Sequence, residues 1–271
     1  MSVLSKDTIE KLILPHLSWG KNGKITNPEL VLCIVQLILY RLKTGCQWRE
    51  LPIGQFMDQS YSWKSVFYHF NKWSKDGSWL RVWAHQLRSH KGEICLSTAQ
   101  LDGTHTPSKQ GGEAVDYQGR KACKTTNMLC ISDARGVIVA ASQPEAGNHH
   151  DVFDIEQHFE ELIEMMKLAD IEVEGLVLNA DAAFDTEELR RLCSKYGIEP
   201  NFDLNPRNGS RWDREEYFDP IAYKKRNVIE HAFAWLDAFK ALLVRYETTA
   251  RNWFAWNLLG FSVVFARKRI R

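Results

Sequence analysis

From the start of the chain to about Gln86, apolar side chains recur at spacings of three and four, the period of helices that bury one face. The strongest run, residues 30–42, is interrupted by Gln36 and Arg41. It predicts a buried helix, too short and too polar to span a bilayer. Thr26 or Asn27 can cap its start, Pro28 suits the first turn, and Gly45 stands where a left-handed C-terminal residue belongs. Further on, residues 62–73 put Val66, Phe70 and Trp73 on one face and Lys64, His69 and Lys72 elsewhere. Several short helices with exposed basic residues suit either a helix-turn-helix-like module or a plain helical accessory domain.

After Lys91-Gly92 the pattern changes to short apolar segments punctuated by turns. Residues 94–101 read as a first strand, and residues 123–132 and 137–142 as two more joined by a hairpin turn at 133–136. Residues 108–120, polar and with two adjacent glycines, read as a mobile loop. A helix over 151–168 follows, then the buried-type strand 175–180, then a helix that Asp185 caps with Glu188 reaching back. The expected organisation is a helical domain, 1–90, and an α/β domain, 91–271.

Composition narrows this little. Hydrophobic content of 44% and a net charge of +1, from 35 basic and 34 acidic side chains, carry no global nucleic-acid signal, so any DNA contact must come from local clusters. Six cysteines without a CxxC pair and no signal peptide point to a reducing cytoplasm and away from structural zinc.

Three carboxylates carry the candidate chemistry. Asp102 follows the apolar end of the first strand and Asp181 follows the apolar strand before it, and acids at strand ends can face one crevice when their strands are neighbours. Either could instead cap a local turn. Asp219-Pro220 opens a helix expected to run to about Leu243, with Val228, Ile229, Ala232, Phe233, Trp235, Leu236, Phe239 and Leu243 on an apolar arc. Tyr223, Arg226, Glu230 and Asp237 form a narrow stripe at its edge, which is either pointed at a cleft or a solvated face with an ordinary Arg226–Glu230 pair. Three acids from separate elements suit Mg²⁺ or Mn²⁺ and phosphoryl chemistry, with two ions about 4 Å apart activating the attacking oxygen and stabilising the leaving one.

On Leu101-Asp102-Gly103-Thr104, on Asn179-Ala180-Asp181-Ala182-Ala183-Phe184-Asp185, and on Tyr223, Arg226 and Glu230, the chain resembles the DDE transposases of bacterial insertion sequences. The resemblance is to the insertion-sequence-5 family within the insertion-sequence-4 superfamily, and it covers nearly the whole chain. The stretch Thr44-Gly45-Cys46-Gln47-Trp48-Arg49-Glu50-Leu51-Pro52 and the 62–73 helix resemble the accessory domain preceding the catalytic core.

The resemblance implies a ribonuclease H-like core, with the first acid on the first strand, the second after the fourth and the third on a later helix. Spacings of 79 and 49 residues between the acids leave no room for the β-rich insertion some relatives carry. It further implies two Mg²⁺ ions on Asp102, Asp181 and Glu230, cleavage of element ends and strand transfer of the 3′-hydroxyl, DNA as partner and a homodimer on it. Tyr223, Arg226 and Lys225 would contact phosphate. The family's Y-x2-R-x3-E-x6-K signature is matched in its first three members. Asp237 stands at the lysine position, with Lys240 close behind as the candidate substitute. Gly147-Asn148-His149-His150-Asp151 resembles a family motif, so His149 and Asp151 are candidate neighbours of the site, with a helix cap the plainer role for Asp151 and an isolated zinc site a further reading of the segment. Lys224-Lys225-Arg226 and Arg267-Lys268-Arg269 with Arg271 are candidate backbone contacts.

Asp102-Gly103-Thr104 also resembles the haloacid dehalogenase-like phosphatases, but the nucleophilic aspartate they need is Gln100 here, which cannot form an aspartyl phosphate. A transposase-derived DNA-binding regulator is the non-enzymatic alternative; the presence of all three acids argues against it.

Overall fold

The computed structural model describes residues 3–18, 27–58, 61–205, 207 and 217–269. In chain order the helices are α1 (Lys6–Leu12), α2 (Pro28–Thr44), α3 (Ile53–Phe56), α4 (Trp63–Lys75), α5 (Ser78–Ser89), α6 (Ile155–Leu168), α7 (Glu187–Lys195), α8 (Pro220–Tyr223), α9 (Val228–Asp237), α10 (Lys240–Leu243) and α11 (Ala250–Arg269). The strands are β1 (Ala99–Pro107), β2 (Asp116–Gln118), β3 (Cys123–Ser132), β4 (Ile138–Ala141), β5 (Glu145–Ala146), β6 (Val177–Ala180) and β7 (Glu199–Phe202). The chain divides into two compact units, a helical one of Met1–Gln86, Ser108–Glu113 and Trp235–Arg271, and a sheet unit of Leu87–Pro107 and Ala114–Ala234.

In the helical unit α2 begins and ends as its sequence dictates. The Asn27 side chain accepts from the Leu30 amide, and Gly45, at φ 65°, closes the helix with its N–H on the Arg41 carbonyl. The alternative cap, Thr26, lies outside the described residues. Val66, Phe70 and Trp73 are buried together on α4 as expected. Phe70 stacks on Trp256 at 4.3 Å between ring centroids, and Trp73 meets Trp79 edge-on at 5.5 Å.

Helix α11 is buried on nearly every side, which is why it joins the N-terminal helices in one core; the compact units therefore do not follow a single cut at residue 90. A Cβ at Gly260 would sit 2.6 Å from the Leu242 side chain. The stretch expected to be a mobile loop, 108–120, is partly pinned. Buried Arg245 donates to the Glu113 carbonyl at 2.7 Å, Gly112 lies against the Thr248 backbone, and Asp116–Gln118 pairs with β3.

The sheet unit has the strand order β2-β3-β1-β6-β7, with β4 and β5 also on β3. β1 is antiparallel to β3 and parallel to β6, which is parallel to β7. The path β4-β3-β1-β6-β7, three antiparallel strands followed by two parallel ones, is the ribonuclease H-like arrangement, with helices α6 and α7 packed on it. The β3–β4 hairpin is tightened by Asp133, whose Oδ1 accepts from the Arg135 and Val137 amides, and by Gly136 at φ 75°.

Several expectations are corrected. β1 starts at Ala99, not 94, and continues through the polar stretch to Pro107, because each of those residues is paired with β3 as far as Pro107 opposite Thr125. Thr186, not Asp185, caps α7; Asp185 is fully buried, accepts from the Asn205 amide and pairs with Arg190 at 2.8 Å. The segment opened by Asp219 is no single helix to Leu243. It tightens to a 3₁₀ turn over Lys224–Asn227 and breaks where Phe239, buried, takes an extended conformation. Leu242 is buried there, whereas Leu243 and Trp235 are exposed.

Candidate active site

Parallel pairing aligns Gln100 of β1 with Asn179 of β6. Two residues past each of them stand Asp102, on the same face of β1 as Gln100, and Asp181, the first residue after β6. The register thus brings the two acids to the same end of the paired strands, and the charge of Asp181 is felt at Asp102. Asp102 is the fourth residue of the nine-residue β1, not at its end. Asp181 follows β6 directly and does cap the turn Ala182–Phe184, its Oδ1 accepting from the Ala183 amide at 2.9 Å. Capping and proximity to Asp102 coexist.

Burial pushes the Asp102 carboxyl up to about 6; the Gly103 amide and Arg226 oppose the rise, and the charges of Asp181 and Asp151 add to it. Asp102 thus feels two further carboxylates, with Asp151 meeting β1 at Gly103, on the opposite face.

A ladder of buried amides holds the third element over them. Gln100 donates to the Thr98 hydroxyl (2.9 Å), Asn179 to the Gln100 carbonyl oxygen (2.8 Å), and Asn201 of β7 to Asn179 (2.7 Å). Asn201 then accepts from the Asp219 amide and donates to the Asp219 carbonyl, and Asn179 also donates to the carbonyl of Ala222. Asp219 in turn caps α8 through the Ile221 and Ala222 amides. The ladder occupies the face that carries Asp102 two residues along. It seats the start of the segment that brings Tyr223 and Arg226 over the acids.

Arg226 bridges the site, with Nη1 3.4 Å from Asp102 Oδ2 and Nη2 3.7 Å from Glu230 Oε1. The ordinary four-residue pair is present, and the same guanidinium reaches an acid 124 residues away. The Glu230 side chain is 60% exposed, against 19% for Asp102, so Glu230 joins the acids through Arg226 and not directly. Tyr223 lies beside Arg226, the guanidinium 6.0 Å from its ring centroid, and burial raises its hydroxyl pKa. Among the described residues no three His, Cys, Asp or Glu side chains converge as metal ligands.

Asp151 is not a helix cap, since α6 begins at Ile155 with Asp154 in the cap position. Its carboxylate lies where a Cβ on residue 103 would be, so only glycine fits there. Asn127 donates to it at 2.8 Å and His105 Nε2 stands at 3.5 Å. Burial would raise its pKa, but these two partners hold it below the ordinary value. His149 instead stacks on Phe153 (3.7 Å) and faces Glu145 (3.9 Å). Lys225 is exposed in the 3₁₀ turn. Lys240 belongs to the helical unit, its Cβ and backbone facing Gly45. In the C-terminal cluster Arg267 donates to the Val3 carbonyl and Lys268 lies 3.7 Å from the Trp235 ring centroid, while the Arg269 side chain and Arg271 lie outside the described residues.

Residues 95–265, more than half of the chain, match the family model of the transposase DDE domain. The chain belongs to the DDE transposases. Residues 7–83 match a second model, a transposase family of the IS4/5 type, so this is a DNA transposase of an insertion-sequence kind. Three solved structures are similar over most of their length. A Mos1 strand transfer complex is 10% identical, covers 85% of this chain and 76% of its own, and has a TM-score of 0.29. A pre-cleavage Mos1 transpososome has the same identity and coverage at 0.30, and a Mos1 paired-end complex with the left transposon end is 11% identical over 91% and 80% at 0.30. These likenesses are loose. No curated protein matches. No helix among the described residues of the transposase is long and apolar enough to cross a membrane.

Sequence reasoning missed Gln100, Asn179, Asn201, His105 and Asn127. A signal existed for two of them: Gln100 and Asn179 each interrupt an apolar run two residues before an acid.

Proposed function

We propose that this transposase cuts insertion-sequence ends and joins the freed 3′-hydroxyl to target DNA, with Asp102, Asp181 and Glu230 as its acids. The observation that carries the assignment is the equal offset of Asp102 and Asp181 from the paired residues Gln100 and Asn179. Asp102 fits a cation site, because a buried carboxyl raised to about 6 beside two other carboxylates is stabilised in its charged form by a nearby positive charge. The oxygen-only donor set suits two Mg²⁺ ions, with Mn²⁺ as substitute. Bound by these acids, the ions would supply polarisation of the scissile phosphate and activation of the attacking water.

The chain's own groups do the rest. Arg226, now spanning Asp102 and Glu230, would turn its charge to the phosphate once the acids are neutralised, and Tyr223 would orient it. Asp151, fixed by His105 and Asn127 against Gly103, holds β1 in place beneath Asp102. Exposed Lys225 and Lys240 are phosphate contacts, each on its own unit. In the first step a water oxygen bonds to phosphorus and the 3′-oxygen leaves as a hydroxyl; in the second that hydroxyl attacks a target phosphorus and displaces a strand end. Segment 1–90 serves as the accessory DNA-binding domain and 91–271 carries the chemistry. Two ends need two sites, so the working form is a homodimer on DNA, in the bacterial cytoplasm at the nucleoid.

The test is strand transfer with cognate ends and Mg²⁺ by Asp102→Ala, Asp181→Ala and Glu230→Ala. Each should abolish joining while end binding persists. Undiminished joining by any one removes that residue from the mechanism.

A further inference from the structure

The motif from Thr44 to Pro52 has no part in the carboxylate site, yet its residues 45–49 line a recess of about 670 Å³ in the helical unit. That volume lies within the range that takes small organic groups, roughly 300–1,000 Å³. The aromatic side chains of Trp48, Trp63, Phe67 and the half-exposed Tyr246 line it, together with Arg41 and Arg49. Arg49 is exposed, its guanidinium 5.7 Å from the Trp63 ring centroid.

Arg41 makes the recess more than an aromatic dent. Its side chain is only 9% exposed, and its guanidinium is 4.4 Å from the ring centroid of Trp48 and 4.9 Å from that of Trp256. Nη2 pairs with Glu247 at 3.3 Å, but the buried Nε–H has no hydrogen-bond partner among the described residues. A buried donor left unpaired is costly unless a ligand supplies the acceptor. Because Glu247 already balances the Arg41 charge, the interior is poor for a phosphate and suited to a neutral, flat group that carries acceptors. An unpaired nucleobase has that chemistry: a π-face to stack, ring nitrogens and carbonyl oxygens to accept, and an attached phosphate for a cation at the mouth. Arg49 is placed for the last.

We infer that this recess, lined in part by the 44–52 motif, receives one unpaired base of a DNA strand. The inference rests on the transposase reading only in taking DNA as the ligand.

The full-length protein would be mixed with a single-stranded 12-mer of deoxythymidines carrying one 4-thiothymidine, irradiated, and its cross-linked peptides mapped. Cross-links should fall within 46–49, 63–67 or 246–248. The same strand made abasic at its central positions should bind roughly 5- to 100-fold more weakly. Trp63→Ala and Tyr246→Ala should remove that preference for the base-bearing strand while leaving the binding of the abasic strand unchanged. Cross-links confined elsewhere, or equal binding of the two strands, would overturn the recess as a base site. A duplex binding assay run alongside separates the two readings: duplex binding without cross-links in the recess sinks this inference alone, and failure to bind any DNA at low salt sinks both.

Discussion

Inside the helical unit the inward positions are filled by Phe70, Trp73, Trp79 and Trp256, ring against ring. Beside the acids of the sheet unit, equally buried positions carry Gln100, Asn179 and Asn201, amide to amide. Aromatic packing contributes through area removed from water and is tolerant of direction. A buried amide contributes little net stability and is exacting about where its partners stand. The first region therefore holds the chain together, and the second specifies where a segment lies to within a hydrogen bond. Substitutions should separate the two, with stability lost in one and geometry in the other.

The largest effect is expected where neither packing nor positioning is at stake. Asp102→Asn keeps shape and removes one acid, and end cleavage should fall by about a thousandfold or more. At neutral pH the native site holds this carboxylate ionised although burial has pushed its pKa from 3.8 to about 6. The amide escapes that penalty, so the metal-free variant should be more stable by up to about 3 kcal/mol in chemical denaturation. A variant that neither lost cleavage nor gained stability would show that Asp102 is an ordinary surface-side acid.

Trp73→Ala comes next, and in the other region. Trp73 is 1% exposed and donates to the Ser18 carbonyl at 3.1 Å. Truncation should cost about 3–5 kcal/mol in chemical denaturation. A loss below about 1 kcal/mol would mean that the aromatic cluster is not the core it resembles.

Asn179→Leu probes the ladder itself. It strands the Gln100 carbonyl oxygen, the Ala222 carbonyl and one Asn201 amide hydrogen at once. The stability loss should be about 1–3 kcal/mol. The distinguishing readout is kinetic: kcat for end cleavage should drop while KM for the DNA end changes little, because Tyr223 and Arg226, which act at the scissile phosphate, are displaced and the contacts to the rest of the DNA end are not. Equal loss in Asn179→Leu and in a buried apolar substitution such as Leu178→Ala, with kcat untouched in both, would reduce the ladder to plain core.

How far the sequence reveals these features depends on how local their causes are. The α2 caps, the β3 strand, the Asp219-Pro220 helix start and the three acids all follow from neighbours in sequence, and the structure has the caps and elements where the pattern puts them. The polar half of β1 was hidden because Asp102 to Pro107 looks like a loop until β3 pairs with it. The break at Phe239 was hidden because the apolar arc runs on past it, and the period cannot report that one ring is better buried in an extended conformation. α11 gives no amphipathic stripe because it is buried nearly all round, so its membership of the N-terminal core is a long-range fact. The amide ladder is long-range in the same sense: Gln100 and Asn179 are 79 residues apart.

The smallest effect tests a boundary between the two regimes. Asp151 is fixed by Asn127 and His105 and presses on Gly103, the residue after the first acid, so it could act by charge or by shape. Asp151→Asn preserves shape, keeps an acceptor for Asn127 and removes only the charge. If Asp151 supports β1 by shape, end cleavage should fall less than tenfold, and Gly103→Ala, which drives a Cβ into the Asp151 carboxylate, should be the more damaging of the pair. Should Asp151→Asn instead match the loss in Asp102→Asn, the crowding of charge around Asp102 would include Asp151 as a working acid. The amide-held side of the sheet would then carry function as well as position.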